Sequence, residues 1–152
     1  MAYHKESDLP VSFIDVSAFS AQIVDTAGNS PVNIVHASHL AAGLVAIRLN
    51  WTQVGLLPQF NLLNPNCHWH ARVFLEQMGP NEGPAVALPP IVPILQGGPS
   101  VVYPPLTIVL PPMPEGVYKP VVTLNLYNGA HTFALFHSHE DFNNIMLEVV
   151  AI

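Results

Sequence analysis

The chain has 152 residues, of which 50% are hydrophobic and only 9% are charged, against about 25% charged residues in a typical soluble domain. This length and hydrophobic content predict a single domain over residues 1–152 with a sizeable core. The four basic residues are scattered, so no basic stripe is available to neutralise phosphates, which argues against binding to nucleic acids and to anionic membrane surfaces.

The first half of the chain alternates between apolar and polar residues, a pattern that predicts short strands. Residues 1–12 are a candidate N-terminal arm, and residues 11–16 and 21–26 are predicted to be two strands joined by a turn. Residues 31–38 are predicted to be a third strand, followed by a single helical turn or a loop at 38–43. The clearest early strand is GLVAIRLNWTQ, where one face carries Val45, Ile47, Leu49 and Trp51.

Residues 85–112 are rich in proline, which cannot donate a hydrogen bond to a β ladder. We therefore expect short edge strands or extended connections here, with 107–110 as the best strand. Prolines also protect the edge of a sheet against uncontrolled pairing.

The last third of the chain predicts three consecutive antiparallel strands, at 117–127, 130–138 and 145–152. The pair Asn128-Gly129 between the first two is the preferred sequence for a two-residue hairpin turn. In total we predict about eight or nine short strands and little or no helix, which defines an all-β fold. The expected architecture is an antiparallel β-sandwich of immunoglobulin-like or jelly-roll topology.

Two His-x-His pairs are the strongest chemical signal in the sequence. The first lies in CHWHARVFLE (67–76), where strand alternation places Cys67 and Trp69 on an apolar core face. His68 and His70 lie on the opposite face, about 6.6 Å apart, a spacing at which a strand can offer two imidazoles to one metal ion. The second pair, in FHSHED (136–141), is His137 and His139.

If the two pairs lie on neighbouring strands, they could build a four-nitrogen zinc or copper site from His68, His70, His137 and His139. Further candidate ligands are His36, His39, Glu140 and Asp141. The alternative interpretation is that these histidines form the solvated or interface side of a strand, in a chain that makes little use of lysine and glutamate.

Other catalytic patterns are missing from the sequence. There is no Gly-x-Ser-x-Gly elbow and no phosphate-binding loop. The apolar setting of Cys67 argues against a nucleophilic thiolate. These observations favour a protein that is not an enzyme and needs no cofactor, while a zinc or copper metalloenzyme remains the open alternative.

The low charge content predicts that much of the surface is buried against other subunits. We therefore expect a structural or protein-interaction subunit that assembles with itself or with another protein, as an oligomer, shell or filament. A third alternative is assembly that depends on pH through interface histidines, which change charge within the physiological range.

The sequence also predicts a cytoplasmic protein. Its single cysteine excludes an internal disulfide, and no signal peptide is recognisable near residue 1. No run reaches the roughly 20 apolar residues that a membrane-spanning helix needs.

Overall fold

The computed structural model describes residues 3–7, 13–26, 32–78, 85–87, 91–127, 134–141 and 145–151, with the backbone alone for 3–7, 85–87, 91 and 134–141. These residues form twelve strands in two sheets and two short helices, α1 (Ala37–Ala41) and α2 (Leu56–Gln59). The strands are β1 (Tyr3–Ser7), β2 (Asp15–Asp25), β3 (Ile34–His36), β4 (Val45–Val54), β5 (His68–Gln77), β6 (Ala85–Ala87), β7 (Ile91–Pro93), β8 (Ser100–Val102), β9 (Leu106–Val109), β10 (Gly116–Tyr127), β11 (Ala134–Asp141) and β12 (Leu147–Val150).

The larger sheet is built around β10, which is paired along both of its edges. One edge pairs with β5 from Tyr118 to Tyr127. The other edge pairs with β12 at its beginning and with β11 from Val121 onward. The sheet then extends outward to β1 beyond β11, to β3 beyond β12, and to β6 and β7 beyond β5. The long strand β10 thus positions the His-x-His strands β5 and β11 on either side of itself.

The smaller sheet has β4 at its centre and is curled like half of a barrel. Strand β2 pairs with one edge of β4, and the short strands β8 and β9 share the other. The prediction of short edge strands in the proline-rich segment is confirmed for its described residues, because β6 to β9 have only three or four residues each.

The two sheets share one hydrophobic cluster, which contains the apolar faces of β4, β5 and β10. The alternation predicted for residues 43–53 and 67–78 is confirmed, because Ile47, Trp51, Trp69 and Val73 are all fully buried. Trp51 stacks on Tyr103 with ring centroids 4.9 Å apart and meets Trp69 edge-on at 6.3 Å. Burying each large apolar side chain contributes roughly 1.5–3 kcal/mol to folding, so this cluster is the main source of stability.

Several predicted details are wrong. The two strands predicted at 11–16 and 21–26 are one strand, β2, because a register shift between Ser17 and Ser20 keeps both parts on the same neighbour, β4. Within this irregularity Ala18 adopts a positive φ of 52°. The described chain has more strands than the eight or nine predicted. The pairing is also not purely antiparallel, because β3 and β12 run parallel.

The C-terminal strands pair differently from a simple meander. Strand β11 pairs antiparallel with β10, as predicted, while the Asn128-Gly129 turn lies outside the described residues. Strand β12, however, pairs with residues 116–118 of β10 and not with β11. The reason is length: β10 has twelve residues and β11 has eight, so the beginning of β10 offers an edge that β12 can use.

Both helices are short, in agreement with the prediction of little helix, and α1 corresponds to the helical turn predicted at 38–43. Neither helix in the described part of the chain is long or apolar enough to cross a membrane.

Candidate functional site

The first predicted pair of site residues, His68 and His70, lies on β5. Alternation along β5 buries Cys67, Trp69 and Ala71 and turns His70 and Arg72 to the outer face, as predicted. His68 departs from the expectation of a solvated histidine, because only 7% of it is exposed. Its burial follows from its position between β7, where it pairs with Pro93, and β10, where it pairs with Tyr127.

His68, His70 and Tyr127 form a compact ring cluster on this face. The imidazole centroids lie 5.5 Å apart, and the Tyr127 ring lies 6.1 Å from His68 and 5.3 Å from His70. His68 Nδ1 is 3.2 Å from the carbonyl oxygen of Asn66. A zinc ion bound by two imidazoles at tetrahedral angles holds their centroids about 5.2 Å apart, so the His68–His70 pair has a spacing that suits a shared metal ion.

The backbone register places the second His-x-His pair on the same face, with one strand between the two pairs. Asn125 of β10 pairs with His70 on one side and with His137 on the other. Thr123 pairs in the same way with Arg72 and with His139. Directly paired residues share a face, and two strand spacings amount to about 10 Å. The pairs are therefore cofacial but not adjacent.

The register also shows which of the other candidate ligands lie on this face of the sheet. Asp141 pairs with Val121 on the outer face, whereas Glu140 pairs with Val122, which is fully buried on the inner face. His36 and His39 lie on β3 and α1, separated from β5 by β12 and β10. The structure therefore places these two histidines and Glu140 apart from the His68–His70 face.

Strand β1 adds two residues that the sequence analysis did not include. It pairs with β11 so that His4 is opposite His139 and Glu6 is opposite His137. Strand alternation over residues 3–7 is enough to predict that His4 and Glu6 share a face. Which face of the sheet this is follows only from the pairing of β1 with β11. Among residues whose side chains are described, no three His, Cys, Asp or Glu residues are grouped closely enough to hold a metal ion.

Cys67 belongs to the core, as predicted. It is buried, and this burial raises the pKa of its thiol above the ordinary value. A raised pKa keeps the thiol protonated at neutral pH, which disfavours both nucleophilic attack and metal binding by this residue.

A buried polar network lies in the core near this strand. Trp69 Nε1 donates hydrogen bonds to Gln53 Oε1 at 3.0 Å and to the Tyr103 hydroxyl at 3.1 Å. The Tyr103 hydroxyl donates to Gln53 Oε1 at 2.8 Å and accepts from the Leu95 amide at 2.9 Å, while Gln53 Nε2 donates to the Leu95 carbonyl. Burial raises the pKa of the Tyr103 hydroxyl, so the protonated form that this network uses is maintained.

A second surface feature is an uncharged apolar loop. Residues 56–62 comprise helix α2 and the three residues after it and are here called the apolar loop; Leu56, Phe60 and Leu62 are 42%, 60% and 65% exposed. The loop is held in place by the segment at 96–97: Gly97 N donates to the Pro58 carbonyl at 2.8 Å, and the Gln96 side chain bonds both backbone groups of Leu63. No Asp, Glu, Lys or Arg occurs in residues 49–71 or 83–114, so neither of these two segments contributes a charged side chain to this surface. Asp15 of β2 pairs with Val54, just before the loop.

Comparison of the chain with models of known protein families, with curated proteins and with solved structures finds no match in any of the three.

Proposed function

We propose that this chain is a non-enzymatic structural subunit that assembles with copies of itself, built as a β-sandwich of immunoglobulin-like or jelly-roll topology. Two sheets that share one hydrophobic cluster support the sandwich. Another protein is the alternative partner. The cytoplasm is the proposed location, because a single buried cysteine suits a reducing compartment.

The apolar loop is the observation that carries this proposal. Apolar side chains scattered singly over a surface are normal, but a contiguous apolar patch marks an interaction site. Here three large side chains protrude from seven consecutive residues, and none of these seven residues is charged. Interfaces are depleted in charged residues at their centres and enriched in aromatic residues, and Phe60 at 60% exposure fits that composition.

The hydrogen bonds of the apolar loop strengthen this argument. Besides the bonds to Gly97 and Gln96, Leu62 N donates to the Leu57 carbonyl at 2.8 Å within the loop. A loop fixed in this way loses little conformational entropy when a partner docks, so more of the free energy gained by burying its side chains is available for association. A copy of the same chain is a suitable partner because it offers the same exposed apolar side chains.

Replacing two exposed apolar side chains by aspartate tests this interface. In the variant Phe60→Asp/Leu62→Asp, we expect the dissociation constant of the assembly to rise at least about tenfold, since burial of each such side chain contributes roughly 1.5–3 kcal/mol. Light scattering across a concentration series measures this as a shift from oligomer towards the 16.5 kDa chain.

The control is Met78→Asp, which places one aspartate at an apolar residue that is 50% exposed. Met78 directly follows β5 and is two residues from Glu76, which forms an ion pair with Lys119, so it lies in a charged region away from the apolar loop. We expect this variant to assemble like the wild-type protein. Equal masses for all three proteins at every concentration would contradict the proposed interface.

A zinc- or copper-binding β-sandwich is the second candidate function, and it rests on the cofacial His-x-His pairs. His68 and His70 have ring spacing that suits one ion, and the register brings His137 and His139 to the same face of the sheet. His4 and Glu6 occupy neighbouring positions on β1 and are further candidate ligands. Such an ion could be structural or catalytic.

Elemental analysis after reloading with zinc or copper tests this candidate. We expect about one ion per wild-type chain, and its loss in His70→Ala and His137→Ala, because both strands must contribute ligands. The control His39→Ala removes a histidine outside this face and should retain the ion. Wild-type protein without stoichiometric metal after reloading would exclude this function.

A further inference from the structure

One further exposed apolar side chain lies beside the apolar loop. Leu95 is 42% exposed, and the side chain of its neighbour Gln96 bonds both backbone groups of Leu63, directly after the loop. The adjoining strand β2 has Asp15 near the loop, and the Asp15 carboxylate accepts a hydrogen bond from the Val16 amide at 2.8 Å. The apolar loop and Leu95, here called the loop surface, add no charge of their own to a contact.

Carboxylates border a second pair of exposed apolar side chains. Ile34 is 60% exposed and Leu44 is 40% exposed, and both line a cavity that Asp25 also lines. Ile34 is paired with Glu148, which is exposed. A partner that covers Ile34 and Leu44 would therefore bring its surface against carboxylates.

A third pair of exposed apolar side chains has the same kind of border. Met78 and Val117 are 50% and 37% exposed, and the Met78 amide donates a hydrogen bond to the Val117 carbonyl at 2.8 Å. Val117 is paired with Glu148, and two residues before Met78 is Glu76, which forms an ion pair with Lys119. Covering this pair would also bring a partner against carboxylates.

These borders decide which surface of a second copy suits the loop surface. Taking an ionised carboxylate out of water without a partner costs several kcal/mol. Burial of one large apolar side chain contributes only roughly 1.5–3 kcal/mol. A contact with either of the two bordered pairs would therefore lose much of the free energy gained by burial. The loop surface of a second copy, in contrast, brings no carboxylate of its own.

The net charge of the chain has the same consequence. Each chain carries a formal charge of −6, so two copies repel one another. In a two-fold contact each residue near the axis faces its own copy, and a charged residue there would face a like charge. Uncharged residues are therefore favoured at the axis, and the loop surface supplies them.

We infer that the apolar loop contacts the same loop of a second copy across a two-fold axis. This inference rests on the proposed self-assembly and adds the symmetry of the contact. A two-fold contact occupies the loop surfaces of both copies, so it joins chains in pairs. A larger assembly then needs a further contact elsewhere on the subunit.

A thiol placed within the loop tests this symmetry. Asn61 is exposed and the native Cys67 is buried, so Asn61→Cys provides one accessible thiol per chain. Under conditions where sedimentation shows that the variant assembles, a short bismaleimide should join most chains into covalent pairs of about twice 16.5 kDa on a denaturing gel. Because Asn61 has φ 55°, Gln59→Cys at the end of α2 serves as a second variant.

The control is Gln22→Cys, which places a thiol at an exposed residue of β2. We expect this variant to assemble like the wild-type protein and to give few covalent pairs. In a head-to-tail contact the loop would face a different surface, so the loop thiols of two copies would stay apart. Assembly of both loop variants without covalent pairs, or with no more pairs than the control, would overturn the two-fold contact and leave self-assembly intact. A wild-type protein that does not assemble at any concentration would overturn both.

Discussion

Gln53 illustrates what happens at a single residue when a polar side chain occupies a core position. Strand alternation places this glutamine on the same face as Val45 and Trp51, and it is fully buried. The strand pattern therefore predicts that the Gln53 side chain points into the core. Its partners, Trp69, Tyr103 and Leu95, come from distant parts of the chain, so no local pattern could show that its amide would be satisfied.

Removal of this amide should destabilise the protein. In Gln53→Leu the Tyr103 hydroxyl loses its acceptor, and leaving this buried group unsatisfied should lower the free energy of unfolding by about 1–3 kcal/mol. The Leu95 carbonyl also loses a donor, but Leu95 is partly exposed, so water can replace that hydrogen bond. Urea denaturation measures this loss. The same substitution at the exposed Gln22 should change stability by no more than about 0.5 kcal/mol. A loss no greater than that of Gln22→Leu would show that the network contributes little.

The histidines show a second limit to what the sequence can predict for single residues. Alternation alone assigns His68 and His70 to one face and Cys67 and Trp69 to the other, and this assignment is confirmed by the burial of both core residues. The burial of His68 was not predictable in the same way, because it depends on Tyr127 and Pro93 from two other strands.

At the scale of elements, strands with regular alternation were predicted well and their partners were not. The strands predicted at 43–53 and 67–78 correspond to β4 and β5, with small differences at their ends. In contrast, the joining of two predicted strands into β2, the parallel β3–β12 pair and the pairing of β12 with β10 all depend on long-range register. The alternating pattern of a short segment does not determine which strand that segment pairs with.

The junction between β4 and α2 depends on one glycine. Gly55 has φ 138°, and a methyl group built on it would overlap the carbonyl group of Phe13 and lie 2.8 Å from Ile14 Cα. We expect Gly55→Ala to lower the free energy of unfolding by about 1–3 kcal/mol or more, since backbone strain and a clash with another backbone segment both oppose the native turn.

The control for this substitution is Gly98→Ala. A methyl group there would meet the Ser100 carbonyl oxygen at 3.6 Å, which is ordinary van der Waals contact. Thermal denaturation of both variants should show a clear decrease in melting temperature for Gly55→Ala alone. Equal melting temperatures for the two variants would indicate that the turn before the apolar loop can relax, and that the loop is less firmly held than its hydrogen bonds imply.

At the scale of the whole molecule, composition and architecture lead to the same proposal. Scarce charge, short edge strands within a proline-rich segment and a hydrogen-bonded apolar loop are all compatible with a subunit whose surface is partly covered by neighbours. The candidate metal site could be predicted only in part. The sequence identified the two His-x-His pairs, but the intervening strand β10, which separates them by about 10 Å, follows from the sheet order.

Self-assembly is the central claim, and sedimentation velocity of the wild-type protein tests it most directly. The account predicts a discrete species with a mass several times 16.5 kDa, which dissociates on dilution towards the single chain. A single species of 16.5 kDa that persists up to high protein concentration would contradict it.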